Sequence, residues 1–269
     1  MATANAFKIL LGACALTFAA AAHAELSAED LAKIAQNPVG NLISVPIQEN
    51  AYFNTGPLNG TQNVLNIQPV IPFSVSDDWN IITRTIIPII SLPAFRPGQG
   101  SISGVGDVQL TAFLSPAKPG AWIWGAGVIT QLPTHSNQLL GNDNVGFGPS
   151  FVVLHLEHGS PWVYGVLMNN VWSSNNATAP TYNNGLMQPF VNYNLESGLY
   201  FTSSPIVTVN WQAKGSNQWT APVGGGVGKL FKIGRLPVNT QISMYYNVVR
   251  PDFANNWQIR AQLQFMFPK

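Results

Sequence analysis

The C-terminal segment of this chain, residues 257–267, alternates almost strictly between apolar and polar side chains. Its apolar positions are Trp257, Ile259, Ala261, Leu263, Phe265 and Phe267, and the polar positions between them are Gln258, Arg260, Gln262 and Gln264. Because successive side chains of a β-strand point to opposite faces, this pattern predicts a strand with one apolar and one polar face. Such a strand is long enough to cross an outer membrane, with its apolar face on lipid and its polar face on a wet lumen.

Similar segments recur from Asn41 onward, separated by clusters of turn-forming residues. The candidate strands are 41–54, 61–75, 79–91, 104–115, 121–132, 145–157, 161–173, 185–195, 198–211, 218–232, 236–249 and 256–267. Bacterial single-chain membrane barrels have an even number of antiparallel strands. The sequence therefore predicts an all-β fold, an antiparallel transmembrane β-barrel of about 12 strands over residues 41–269.

The connections between these candidate strands alternate in length. Those after even-numbered strands are short, as at residues 76–78 and 196–197, whereas the longest ones, 92–103, 133–144 and 174–184, follow odd-numbered strands. Outer-membrane barrels have short periplasmic turns and longer outer loops. The pattern favours a barrel over a β-sandwich and places both chain ends on the periplasmic side.

Four prolines within candidate strands argue against a regular closed sheet, because each removes a donor from the ladder of hydrogen bonds. They are Pro69, Pro88, Pro189 and Pro205.

Charged side chains make up 9% of the chain, against about 25% in ordinary soluble proteins. Yet no apolar run after residue 24 approaches the ~20 residues that a spanning helix needs. This combination leaves a membrane barrel or a secreted β-sandwich with a weakly charged surface. Since no basic patch with interleaved aromatic residues occurs, we expect no nucleic-acid partner.

The N-terminus predicts a cleaved secretory signal over residues 1–24. Lys8 precedes an apolar run that ends in Ala22-His23-Ala24, with small residues at the −3 and −1 positions. A lipoprotein signal ending at Cys14 is the alternative, but it would leave almost no apolar core before the cysteine. Cleavage after Ala24 leaves a chain with no cysteine, and so without disulfides or thiolate chemistry.

Residues 25–40 predict a short periplasmic leader helix. Ser27 can cap it, Leu26 can contact Leu31 across the first turn, and Asn37-Pro38 ends it. We favour a leader that packs against the end of the barrel. The alternative is a plug inside the lumen.

Several polar side chains are predicted to line the lumen: Asn66, Gln68, Arg84, Gln241, Arg260, Gln262 and Gln264. Arg84 stands among isoleucines, and lipid exposure of an arginine costs about 2–4 kcal/mol at the bilayer midplane, so its side chain should point inward. Such a lining is rich in neutral amides. Whether Arg84 and Arg260 face a pathway or fill a closed interior remains open at this point.

Aromatic residues at a spacing of ten predict girdles at the two membrane interfaces. Trp162 and Trp172 have this spacing on one strand, and Trp257 and Phe267 have it on another. At a rise of about 3.3 Å per residue and a strand tilt of about 40°, ten residues span roughly 25 Å along the membrane normal, the height of the apolar band.

No pattern predicts catalytic residues, a metal site or a cofactor. The glycine run at 224–229 lacks the Ser or Thr of a phosphate-binding loop. His155, Glu157 and His158 lie together, but no third histidine lies nearby in sequence to complete a zinc site. No sequence feature aligns His135 and Ser136 into a catalytic triad.

Five segments carry a resemblance to a known family: Ala35–Pro38, Asn41–Pro46, Asn63–Pro72, Asp78–Pro88 and Gly104–Pro116. They resemble a family of bacterial outer-membrane β-barrel proteins often mislabelled neuromedin U. That family is similar to the barrel group associated with meta-pathway phenol degradation, which is described as transporter-like. The resemblance runs over nearly the whole chain after the signal. It implies a transport role and supplies no catalytic residue set.

Together these observations predict a non-enzymatic, porin-like barrel in the outer membrane of a Gram-negative bacterium. We expect it to allow passive passage of small, uncharged or apolar solutes. Its expected partners are outer-membrane lipid, the barrel assembly machinery and a small-molecule solute. The alternatives are a closed barrel with a structural or lipid-hydrolase role, and a secreted soluble β-sandwich binding protein.

Overall fold

A single antiparallel sheet that closes on itself forms nearly all of the structure. A computed structural model describes residues 28–175 and 179–267. Within these residues 12 strands pair in chain order, and the last strand pairs with the first. The predicted antiparallel barrel is therefore confirmed, and the β-sandwich alternative is wrong, because one closed sheet replaces two stacked sheets. The predicted signal, Leu26 and Ser27 lie outside the described residues.

The strands follow the predicted segments closely. They are β1 (Ile43–Thr55), β2 (Gly60–Ile67 and Val70–Ser74), β3 (Trp79–Leu92), β4 (Ile102–Val105 and Val108–Pro116), β5 (Trp122–Leu132), β6 (Gly146–Leu156), β7 (Trp162–Ser173), β8 (Asn183–Asn194), β9 (Leu199–Ser203 and Val207–Asn210), β10 (Trp219–Ile233), β11 (Leu236–Val249) and β12 (Trp257–Phe267).

The two ends of the barrel differ in the length of their connections. Residues 75–78, 117–121, 157–161, 195–198 and 234–235 form the turns at one end, where β1 begins and β12 ends. The connections at the other end include 93–101 and 133–145. By the general rule for outer-membrane barrels, the short turns face the periplasm and the long loops face outward. We call these the inner and outer ends.

The awkward prolines lie at gaps in the strands or opposite them. Pro69 occupies the gap in β2, and Pro205 occupies the gap in β9. Pro189 of β8 lies opposite the β9 gap, where pairing is lost. Pro88 of β3 lies opposite the gap in β4, and its carbonyl accepts the backbone N–H of Gly106 at 2.9 Å. The sheet thus closes because its missing donors coincide with places where the ladder is already interrupted.

Strand contact elsewhere depends on glycines that have no room for a side chain. A Cβ on Gly127 of β5 would lie 1.8 Å from the carbonyl oxygen of Ala112. A Cβ on Gly148 of β6 would lie 1.7 Å from the carbonyl oxygen of Asn170. Both distances are far below van der Waals contact, so these strands approach each other more closely than a pair with side chains permits.

The described N-terminal residues form one short helix, α1 (Ala28–Ala35), which ends before Asn37-Pro38 as predicted. Its Leu31 and Ala32 are buried against Leu230 of β10 and Met266 of β12. In the part of the chain that the structure describes, no helix has the length and apolar character needed to cross a membrane.

Candidate solute pathway

The interior of the barrel contains a chain of cavities. An outer cavity of about 480 Å³ lies beneath the long loops and shares Gln109, Asn169 and Leu186 with a middle cavity of about 230 Å³. An inner cavity of about 160 Å³ lies toward the short turns. The cavities lie in sequence along the lumen, as a solute pathway requires.

Most of the predicted lining residues border these cavities. Gln68 and Arg84 border both the middle and the inner cavity, and Asn66 borders the middle one. Three more border the inner cavity: Gln241, Gln262 and Gln264. Their amides take part in hydrogen bonds across the lining, for example from Gln241 Nε2 to Ser243 Oγ at 3.0 Å.

The middle and inner cavities adjoin at a set of shared residues, which we call the constriction. The residues that border both are Gln48, Gln68, Arg84, Leu167 and Gln188. Across it, the Arg84 guanidinium donates a hydrogen bond to Gln68 Oε1. A solute that moves between the two cavities must therefore pass directly beside Arg84.

Arg260 lies inside the barrel but belongs to its packed interior, since it borders neither of these two cavities. Its side chain is 2% exposed. Its Nε donates to Asn50 Oδ1 at 3.2 Å, and its Nη1 donates to the carbonyl oxygen of Ser204 at 3.0 Å. The guanidinium also lies 5.0 Å from the ring centroid of Tyr245, a cation–π distance. The two arginines predicted to line the lumen thus occupy different surroundings.

The N-terminal segment lies at the inner end of the pathway. Residues 35–38 border the inner cavity. Gln36 and Asn194 of β8 exchange two amide hydrogen bonds, at 2.8 and 3.2 Å, and Gln264 donates to the carbonyl oxygen of Ala35 at 3.3 Å. Val39 follows and is 5% exposed.

Val39 is held by a cluster of inward-facing apolar side chains from β2 to β7. The other buried members are Val70, Ile82, Phe113, Ile123, Val152, Leu154, Val163 and Leu167. The segment thus reaches inside the ring of strands, deeper than a leader packed against the barrel end. The choice between a leader and a plug for residues 25–40 stays a prediction.

Apolar side chains also border the middle cavity, and the sequence did not predict them; we call this set the apolar wall. Its members are Ile86, Phe113, Ile129, Leu167, Leu186 and Ile206. A rule that assigns apolar side chains to the lipid face does not place these residues in the lumen. The middle cavity is therefore bordered by both polar and apolar side chains.

A second missed feature pins the loop 133–145 over the barrel mouth. Asp107, in the gap of β4, is buried and lies 2.7 Å from His135 Nδ1. Its other carboxylate oxygen accepts the backbone N–H of Asn142 at 2.7 Å. His135 Nε2 lies 3.2 Å from Asp143. Asp107 thus binds the loop at two points. In the sequence it is a single aspartate after Gly106, and no pattern there indicated this role.

The next loop rests on this one. Tyr182 Oη donates to the carbonyl oxygen of Asn144 at 3.4 Å, and Asn144 Nδ2 donates to the carbonyl oxygen of Pro180 at 3.0 Å. Burial, together with the negative charge of Asp107, raises the pKa of Tyr182 to about 12. The two loops therefore form one hydrogen-bonded lid region at the outer end.

The predicted girdle residues lie on the lipid-facing surface near the strand ends. Trp162, Trp172 and Phe267 are exposed, and Trp162 contacts Tyr193 edge to face with ring centroids 4.8 Å apart. Trp257 is half-buried because it stacks on Phe53 at 4.1 Å. Their role as membrane anchors stays a prediction.

The described residues contain no group of three or more His, Cys, Asp or Glu side chains that could hold a metal ion. His155 lies on the outer surface, where its ring stacks on Tyr164 with centroids 5.1 Å apart. The ring of His135 contacts two aspartates, whereas Ser136 Oγ accepts the backbone N–H of Val105 at 3.0 Å. The arrangement of His135 and Ser136 is therefore not that of a nucleophile and its base.

Solved structures of outer-membrane proteins share this fold. The COG4313 outer membrane channel from Pseudomonas putida F1 superposes with a TM-score of 0.63 at 19% identity, over 86% of this chain and 97% of that one. The NanC porin gives 0.52 at 10% identity, over 84% and 100%. Outer membrane phospholipase A from Escherichia coli gives 0.44 at 12% identity, over 84% and 96%, which is too low to carry an argument about lipid hydrolysis.

No protein-family model matches the sequence, and no curated protein matches it in sequence. At these identities the structural likeness shows the fold. The chain is a closed 12-stranded β-barrel of the Gram-negative outer membrane, with channels and porins among its structural neighbours.

Proposed function

We propose that this protein is a channel for passive passage of small solutes that are uncharged or largely apolar. The observation that carries the proposal is the succession of cavities through the lumen, bordered mainly by neutral amides and by apolar side chains. Neutral amides make hydrogen bonds without holding a solute by charge. The apolar wall favours solutes that water solvates poorly.

The N-terminal segment acts as the gate in this proposal. It closes the inner end through the burial of Val39 and through amide hydrogen bonds at Gln36 and Ala35. These contacts are side-chain packing and amide hydrogen bonds outside the strand pairing, so the segment can leave without any strand moving. Passage then requires its release toward the periplasm.

Planar-bilayer conductance of the purified protein tests the proposal, with a boiled and an unboiled gel sample to verify the folded barrel. We expect discrete conductance steps, and a larger step for a variant that joins the signal directly to Asn41 and so lacks residues 25–40. A folded barrel that conducts in neither form, and that does not let small sugars swell proteoliposomes, would refute the channel function.

The structure offers one observation in favour of a closed barrel: the inner cavity is small and is bordered by the N-terminal segment. A structural role would be supported if the variant without residues 25–40 also failed to conduct. Release of fatty acid from phospholipid by the purified protein would instead favour the hydrolase alternative.

Two further parts of the proposal concern relatives and partners. The resemblance to the phenol-degradation barrel group agrees with transport of weakly polar solutes. We also propose that the chain is inserted by the barrel assembly machinery, as its closed, lipid-facing sheet requires a route into the outer membrane. Depletion of that machinery should leave the protein unfolded and sensitive to protease.

A further inference from the structure

We propose that Arg84 forms an anion-binding site at the constriction, which selects small organic monoanions with an apolar body and a single carboxylate. This inference rests on the proposed channel function and adds one charged class to its solutes: small apolar bodies that carry a single negative charge.

The first argument is the unused hydrogen-bonding capacity of Arg84. A guanidinium has five N–H donors in a planar fork that matches a carboxylate. Among the described residues, the Arg84 guanidinium donates a hydrogen bond to the neutral Gln68. Among the described residues no carboxylate oxygen lies within ion-pair distance of Arg84. The cation thus borders two cavities with donors available and no counter-charge.

The second argument is the charge around the pathway. In the described part of the chain, the charged side chains that border the middle or the inner cavity are Arg84 and Asp107. The oxygens of Asp107 are engaged by His135, Asn142 and Gln131. Of the two, Arg84 alone borders both cavities. An enclosed site with low dielectric strengthens attraction for an anion.

The third argument is the apolar wall beside the cation. Leu167 borders the constriction together with Arg84, and Phe113 and Ile129 continue the wall into the middle cavity. That cavity has a volume of about 230 Å³, and an apolar protein cavity of roughly 150 Å³ accepts benzene. A ring-sized body therefore fits against the wall while its carboxylate reaches Arg84.

Arg260 does not form such a site, although it carries the same charge. Its guanidinium donates to Asn50 and Ser204 and faces the ring of Tyr245. Its Nη2 is buried and has no partner among the described residues, but Arg260 borders neither the middle nor the inner cavity. Position, and not charge alone, assigns anion recognition to Arg84.

Benzoate and benzamide provide a matched pair of probes, because they share a ring and differ in charge. We would measure their binding to the full-length protein in detergent at neutral pH by calorimetry and by thermal stabilisation. We expect benzoate to bind more tightly than benzamide. The Arg84→Gln variant loses a charge-assisted hydrogen bond to the carboxylate. It should therefore bind benzoate about tenfold or more weakly than the wild type, and its affinity for benzamide should be unchanged. Arg235→Gln, at an exposed turn, removes the same charge and should change neither.

Equal affinity for the two probes, absence of binding by either, or unchanged benzoate affinity in Arg84→Gln would overturn the proposal. If Arg84→Gln does not fold, Arg84→Lys serves instead. It keeps the charge but loses the planar fork, so benzoate should bind severalfold more weakly while benzamide is unaffected. Benzoate affinity equal to that of the wild type in this variant would also overturn it.

A bilayer measurement separates this inference from the channel function. Under a potassium benzoate gradient, the reversal potential of the wild type should indicate anion preference, and Arg84→Gln should lose it. Conductance without anion preference overturns the anion site and leaves the channel. Absence of conductance refutes the channel, whereas the binding comparison still decides the site.

Discussion

Replacing Val39 by Ala should loosen the N-terminal segment by a predictable amount. The side chain is 5% exposed and packs among inward-facing residues of six strands. The substitution removes two methyl groups, and each buried group contributes about 0.8 kcal/mol. The loss of about 1.6 kcal/mol corresponds to roughly a 15-fold shift from docked to released segment. The void left behind adds to this value.

Single-channel recording measures this shift as the ratio of closed to open dwell times. The matched control is Val128→Ala, which makes the same chemical change on the outer surface, where Val128 is 45% exposed. The variant without residues 25–40 supplies the conductance of the released state. The reasoning is refuted if that variant conducts as the wild type does, or if Val39→Ala and Val128→Ala have the same dwell-time ratio.

The remaining predictions concern the sheet and the outer loops. Gly127→Ala would place a Cβ against a neighbouring carbonyl, so we expect this variant to give no heat-modifiable folded band on a gel. The control Gly120→Ala has open space around the new Cβ and should fold normally. Asp107→Asn weakens the contacts that hold the loop 133–145. Limited proteolysis should therefore cut this loop at least severalfold faster, and an unchanged rate of cleavage would contradict this role of Asp107. Because Tyr182 holds its proton to a pKa of about 12 in the folded state, the unfolded state loses it first and stability falls as pH rises from about 10 to 12. Tyr182→Phe should flatten part of that fall in denaturant midpoint, and an identical pH dependence in both proteins would contradict this role.

The strand pattern could be predicted because each strand carries its own signal. Alternation in β12 and the lengths of the connections are local properties, so they survive without any knowledge of the partner strands. The gaps in β2, β4 and β9 could not be located from sequence. A proline shows that a donor is missing, but whether the neighbouring strand needed that donor depends on register.

The pathway was predictable in part, and the limit has a physical cause. Polar residues such as Gln68 and Gln241 point inward because lipid would leave their amides unpaired. Which of them border a cavity depends on what fills the lumen. Val39 and the apolar wall lie inside the barrel although their side chains are hydrophobic. A rule that assigns every apolar side chain to the lipid-facing surface therefore places them wrongly. Arg84 and Arg260 have similar sequence contexts, and the closed barrel alone distinguishes them.

The bond between Arg260 and Asn50 has a consequence for how the barrel is completed. It joins β12 to β1 across residues 210 positions apart in the chain. While the sheet is open, the guanidinium lacks this acceptor, and the entropy of joining the two chain ends has not yet been overcome. The Arg260 guanidinium therefore gains its Asn50 acceptor in the same step in which β12 pairs with β1. The last strand thus carries a side-chain hydrogen bond that forms only when the barrel closes.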